Sequence, residues 1–168
     1  NLSYFMHQRA AAVTKETGIS YADAPEHEVP STGRGITNRF AWCIEHKSPF
    51  PISREGNETA IYGPEGNLAF RFWHDYLHYS HREGVGLLSE LRLARIHRLA
   101  AESAFGKGSL ESRILYADVA AQALHYAISG EFVQDQHEFL LSMMQCDFRP
   151  QDVPALVTAA GKVWEGAL

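Results

Sequence analysis

Apolar residues along this chain recur mostly at helical rather than alternating spacing, and the gaps between periodic stretches carry caps and stops. Leu2 to Thr17 reads as a first helix, with Ser3 as N-cap, a helix-favouring Ala10-Ala11-Ala12 run and Gly18 as its stop. The periodicity then lapses. Residues 18–37, with Pro25, Pro30 and several acids, read as a solvated connector, in which Glu26-His27-Glu28 is a charged loop. Asn38 can cap a short helix over Arg39 to His46 that turns Phe40, Cys43 and Ile44 inward, and Ser48-Pro49-Phe50-Pro51 ends it. Residues 48–66 read as a long irregular loop with a short strand at Thr59 to Tyr62, a usual place for a lid or binding loop.

The densest aromatic run follows, Phe70 to His81, on a helix that Asn67 can cap and that Glu83-Gly84-Val85-Gly86 breaks. The next helix runs from about Leu87 to Phe105. Leu88, Leu91, Ile96 and Leu99 form its apolar side, and Glu90, Ala94, His97 and Ala101 form a second stripe whose small residues admit a close neighbour. Ser109 and Gly130 bracket an alanine-rich helix over 110–129, apolar over much of its circumference and therefore expected near the centre. Asp135 and Glu138 are spaced as a capping box for a helix over Gln136 to Cys146, and Asp152 with Pro154 opens a last helix to Glu165. The expected fold is all-α: one single-domain bundle over 1–168, with about five to six helices and a long loop before the central one.

Composition narrows the classes. A 45% hydrophobic and 21% charged chain of 168 residues is ordinary for a globular domain, and a net charge of −5 supplies no bulk pull toward nucleic acid or anionic membrane. The two cysteines, Cys43 and Cys146, are far apart and form no C-x-x-C, so reduced thiols in a cytoplasm-like compartment are expected. No apolar run reaches membrane-span length and no signal peptide is visible. Asn1 in place of Met reads as a fragment or a trimmed product, so that last point weighs little.

The candidate chemistry is histidine and carboxylate. His74, His78 and His81 lie at i, i+4 and i+7, at the seam between an apolar flank (Phe70, Leu77) and a polar one (Arg71, Asp75, Arg82). Two imidazoles one turn apart can reach one ion. His74-Asp75-x-x-His78 carries Asp where the zinc-protease motif needs Glu as general base. Two other helices each carry a polar stripe in an apolar setting: Glu90 with His97, and Asp118 with Gln122 and His125. Bundles build metal sites from side chains of facing helices. The expected ligands are therefore His74, His78, His97 and Asp118, around a divalent Zn, Mn or Fe. Asp75 and Glu90 are the carboxylates placed to orient a ligand or act on bound water. The bland alternative is a set of hydrogen-bonded core histidines.

Other motifs are negative. Gly106-Lys107-Gly108-Ser109 lacks the Gly and Ser/Thr positions of a phosphate loop, and no G-x-S-x-G occurs. Glu-x-x-His, the signature of ferritin-like di-iron bundles, is absent. Arg92, Arg95 and Arg98 form a basic side that could grip phosphates, the one feature directed at nucleic acid.

Two resemblances attach to these residues. The adjacent His74-Asp75 and the later Asp118 resemble the H…HD…D pattern of HD-domain phosphohydrolases. That likeness implies an all-helical metal enzyme with His74, Asp75 and Asp118 as ligands and His46 as the first histidine. The longer segment Phe70-Arg71-Phe72-Trp73-His74-Asp75-x-x-His78, followed by Glu90 to His97, Asp118 to Gln122 and Phe132-Val133-x-Asp135-Gln136, resembles uncharacterised bacterial proteins of phage and plasmid neighbourhoods. It implies no activity, only that these positions form one constellation. Two expectations result. One is a metal-dependent hydrolase of phosphate esters. The other is a non-enzymatic interaction module of a mobile element. Partner and oligomeric state stay open, a homo-oligomer included.

Overall fold

Glycine and proline set the frame. Gly18 takes a left-handed φ of 75° and its N–H closes on the Thr14 carbonyl at 2.8 Å, ending helix α1 (Leu2–Thr17) where the sequence places the stop. Ser3 lies inside the first turn rather than capping it. Phe5, Met6, Ala10 and Val13 form the buried face of α1. In this computed structural model the described residues are 2–58, 60–145 and 148. They form six α-helices and one two-stranded sheet, so the fold is essentially all-α. The expected last helix, Asp152 to Glu165, lies outside the described residues. The chain divides into two compact units, Asn1–Val85 and Gly86–Leu168.

In the first unit the connector is more ordered than its composition implies. Tyr21–Asp23 (β1) and Phe50–Ile52 (β2) pair in parallel, Tyr21 against Phe50 and Asp23 against Ile52, and a 3-10 turn covers Glu26–Glu28. Helix α2 (Gly33–His46) is the crossover between the strands. It starts five residues before the expected cap: the Thr32 hydroxyl accepts from Gly35 N–H at 3.0 Å, and Asn38 sits within the helix. Of the strand expected over Thr59 to Tyr62, Thr59 lies outside the described residues, and Ile61 and Tyr62 form a turn.

Helix α3 (Pro64–His81) also starts early. Pro64 occupies the first helical position behind Gly63, which leaves Asn67 inside the helix. There Asn67 is buried and donates its amide to Asn57 Oδ1 at 2.6 Å. The loop before α3 is held firmly. Arg71 donates to the Ser53 carbonyl at 2.8 Å and the Glu55 carbonyl at 3.0 Å, and Arg54 bridges Asp23 and Glu65 at 2.6 and 2.7 Å. The aromatic run of α3 forms the core against α1, α2 and β2. Phe5 meets Trp73 edge-on at 5.8 Å, Phe40 stacks on Phe50 at 4.0 Å, and Phe72 and Tyr79 lie 5.8 and 5.3 Å from Phe40. Each fully buried ring of this kind contributes about 1.5–3 kcal/mol from area alone.

In the second unit α4 (Leu87–Phe105), α5 (Leu110–Ser129) and α6 (Gln136–Gln145) pack in sequence order. The bounds of α4 and α5 are those read from the caps and stops. The leucine side expected for α4 is not the buried one. Leu88 and Leu99 are exposed, and Leu93, Ala94, His97 and Ala101 are buried. This is the small-residue stripe read from the sequence; α4 packs on α5, whose Ala117, Ala120 and Ala121 are also buried, and small side chains allow helices to approach closely. Asp135 Oδ1 accepts from Glu138 N–H at 2.8 Å, capping α6 as expected. Among the described residues no helix is long and apolar enough to cross a membrane.

Candidate metal centre

His74 and His78 stand one turn apart on α3, between the aromatic core and the polar flank. His78 is fully buried and His74 half-buried. Their Nε2 atoms lie 3.0 Å apart with the rings nearly perpendicular at 82°. The other ring nitrogen of His78, Nδ1, faces the Glu83 carbonyl at 3.4 Å. A carbonyl only accepts, so Nδ1 is the donor in this contact and Nε2 is the nitrogen turned toward His74. This is how a metal-ligating histidine is normally oriented, by a hydrogen bond from the nitrogen that does not bind the ion.

The Nε2 separation can be tested against coordination geometry. With metal–nitrogen bonds of about 2.0–2.1 Å, two nitrogens 3.0 Å apart subtend roughly 90–97° at the ion. An ideal tetrahedral edge would be slightly longer, about 3.3–3.4 Å. The pair therefore fits two adjacent corners of one ion's coordination sphere with little adjustment.

The turn after α3 supplies the Glu83 carbonyl. Arg82 takes the left-handed conformation, φ 56° and ψ 38°, and its N–H reaches the Tyr79 carbonyl at 3.3 Å. Glu83 N–H then closes on the His78 carbonyl at 3.0 Å. One residue, Glu83, thus binds both the backbone and the ring of His78. A non-glycine residue in this region costs about 1–2 kcal/mol. The turn is braced from α2: a Cβ built on Gly33 would stand 2.8 Å from Gly84 Cα.

The remaining candidates are dispersed. Asp75 is half-buried, and its charge acts on Arg71. Burial pushes the Arg71 guanidinium below its ordinary range, and Asp75 and Glu26 oppose that shift. His81 is exposed. His46, the first histidine under the HD-domain likeness, is exposed at the end of α2. It stacks on Trp42 at 4.4 Å with Nδ1 on the Trp42 carbonyl at 2.9 Å. In the second unit Glu90 lies in the first turn of α4, and His97 and Asp118 are buried on α4 and α5. Asp118 Oδ1 accepts from Gln122 Nε2 at 2.7 Å, and the His125 ring packs 5.5 Å from Phe139. Of the three arginines, Arg92 donates to Ser89, Arg98 lies over Tyr116 and 3.8 Å from Glu102, and Arg95 is exposed.

His74 and His78 are the two metal-capable donors that α3 brings together. Two imidazoles suit a borderline divalent cation and leave coordination positions for water. The sequence did not reveal the Glu83 carbonyl. A backbone acceptor has no residue-type signature, and an arginine at a left-handed position gives none of the warning a glycine would. Cys43 is a buried free thiol that donates to the Pro49 carbonyl, and burial pushes its pKa up, so it is no nucleophile. The chain matches no protein-family model, no curated protein and no solved structure.

Proposed function

We propose that this protein binds a divalent transition metal through Nε2 of His74 and His78, and that it hydrolyses phosphate esters. The carrying observation is the pair of Nε2 atoms at 3.0 Å, with His78 Nδ1 on the Glu83 carbonyl. A bound ion of this class would lower the pKa of a coordinated water and supply a nucleophile near neutral pH. The chain's own part is orientation: the Glu83 peptide fixes the His78 ring, and the α3 backbone spaces His74 from it.

The test is zinc and manganese titration of untagged protein by calorimetry, followed by hydrolysis of p-nitrophenyl phosphate by the loaded protein. Stoichiometric binding that His74→Ala weakens supports the site. Absence of binding in the wild type removes it. Metal binding without turnover would retain the site and discard the hydrolase.

A second reading has its own observation. A separation of 3.0 Å also suits a hydrogen bond between two neutral imidazoles. The protein would then be a non-enzymatic interaction module with structural histidines. Under it, His78→Gln lowers stability and no metal binds at all.

A further inference from the structure

The first unit holds a cavity of about 650 Å³ between the start of α2 and the turn that ends α3. Its volume falls in the range of small-molecule sites, roughly 300–1,000 Å³. Arg34, Thr37 and Asn38 line it from α2, and Tyr79, Ser80 and Arg82 line it from the other side. Glu83 also belongs to this wall, through the same turn that holds His78.

The two arginines set this cavity apart. Elsewhere in the unit the guanidinium groups are engaged: Arg54 with Asp23 and Glu65, Arg71 with two carbonyls, Arg9 over Trp73 and Arg39 near Trp42. Among the described residues, the guanidinium groups of Arg34 and Arg82 have neither an ion-pair nor a hydrogen-bond partner. That is notable in a chain with 20 acidic and 15 basic residues. Arg82 also holds a left-handed φ of 56°, a place where glycine would be cheaper. A side chain kept at such a position points to use of that side chain.

The other walls indicate what accompanies the anion. Thr37 spends its hydroxyl proton on the Gly33 carbonyl at 2.9 Å and Ser80 turns its own toward the Leu77 carbonyl, so both present lone pairs. Tyr79 supplies ring surface, backed by Phe40. The Asn38 amide offers a donor and an acceptor. Paired guanidinium groups match a dianion, and the ring and amide match an organic body.

We propose that this cavity binds a small phosphate monoester, with its phosphate held by Arg34 and Arg82 and its organic portion against Tyr79 and Asn38. The proposal goes beyond the metal reading and does not depend on it.

The experiment is calorimetric titration of p-nitrophenyl phosphate into the full chain held metal-free by a chelator, with inorganic phosphate and acetate as comparisons at one salt concentration. Arg82→Gly removes the guanidinium while suiting the backbone, and Arg34→Gln changes an exposed side chain. Saturable binding of the ester that falls at least tenfold in the double variant, with the melting temperature retained, supports the site. Arg34→Gln alone serves as the readout if the double variant does not fold. No saturable binding by the wild type at millimolar ester, unchanged affinity in the variants, or equal affinity for acetate overturns it. Failure of zinc to bind leaves this result intact, so the two readings fail separately.

Discussion

At the scale of single residues, two side chains on α3 make opposite demands on the experiment. His78 is fully buried, with one ring nitrogen on the Glu83 carbonyl and the other on His74. Removing a partner that merely orients a ligand costs about 10–100-fold in metal affinity, so removing the ligand itself by His78→Gln should cost more. Metal titration checks this, and retained far-UV circular dichroism separates a lost ligand from a lost fold. Tyr76, two residues from each of these histidines on α3, is a second titration probe. Burial, and then the hydrogen bond its hydroxyl donates to Glu16 on α1, push its pKa up to about 12. The folded state favours the neutral phenol. The stability this contributes is complete below the unfolded value of about 10 and is lost as pH rises through 12. Denaturant unfolding should therefore show stability falling between pH 10 and 12, with a shallower fall in Tyr76→Phe.

At the scale of elements, glycines separate the contacts that matter from those that do not. Gly33 opens α2, and alanine there would gain about 1 kcal/mol of helix propensity. Its Cβ would also stand 2.8 Å from Gly84 Cα, a backbone atom that cannot swing aside. Gly33→Ala should destabilise by about 1–3 kcal/mol and, by displacing the turn that carries Glu83, weaken metal binding from outside the donor set. Gly86 is the contrast. It caps α4 without a side-chain bond, at an ordinary φ of −84° and with no atom within 4 Å of an added Cβ. Gly86→Ser should stabilise by about 0.5–1 kcal/mol in denaturant unfolding. These elements also show what the sequence could reveal. The bounds of α4 and α5 were legible because Ser109, Gly106 and Gly130 act locally. The start of α2 was hidden because Gly33-Arg34-Gly35 has the composition of a loop, and only Thr32 reveals the cap. Strands of three residues are too short for a period-two signal. The stripe of Ala94, His97 and Ala101 was legible from its small residues, whereas the burial of Leu93 rather than Leu88 and Leu99 depends on how the neighbouring helix lies, which sequence does not specify. The spacing of His74 and His78 was legible from helical geometry. The orienting carbonyl and the two-arginine cavity depend on the backbone of the α3 turn and were not.

At the scale of the whole molecule, net charge complicates any metal experiment and also supplies its control. A chain of charge −5 attracts every divalent cation to some degree, so a small rise in stability with added salt proves nothing about a site. Ligand chemistry separates the cases. Magnesium and calcium prefer oxygen donors, whereas two imidazole nitrogens select zinc and other first-row transition ions. Diffuse attraction should raise the melting temperature about equally for magnesium and zinc at matched ionic strength. A site built on His74 and His78 should respond to zinc and ignore magnesium. The size follows from mass action. Zinc at 100 times its dissociation constant adds about 2.7 kcal/mol to the folded state. For a chain of 168 residues that raises the melting temperature by roughly 5–10 °C. Scanning calorimetry of the full chain with zinc, magnesium or chelator measures all three arms. A zinc shift of that size, reversed by chelator and absent in His78→Gln, is expected. Equal shifts with zinc and magnesium would mean that the −5 charge alone is responsible and that the two imidazoles share a proton rather than an ion.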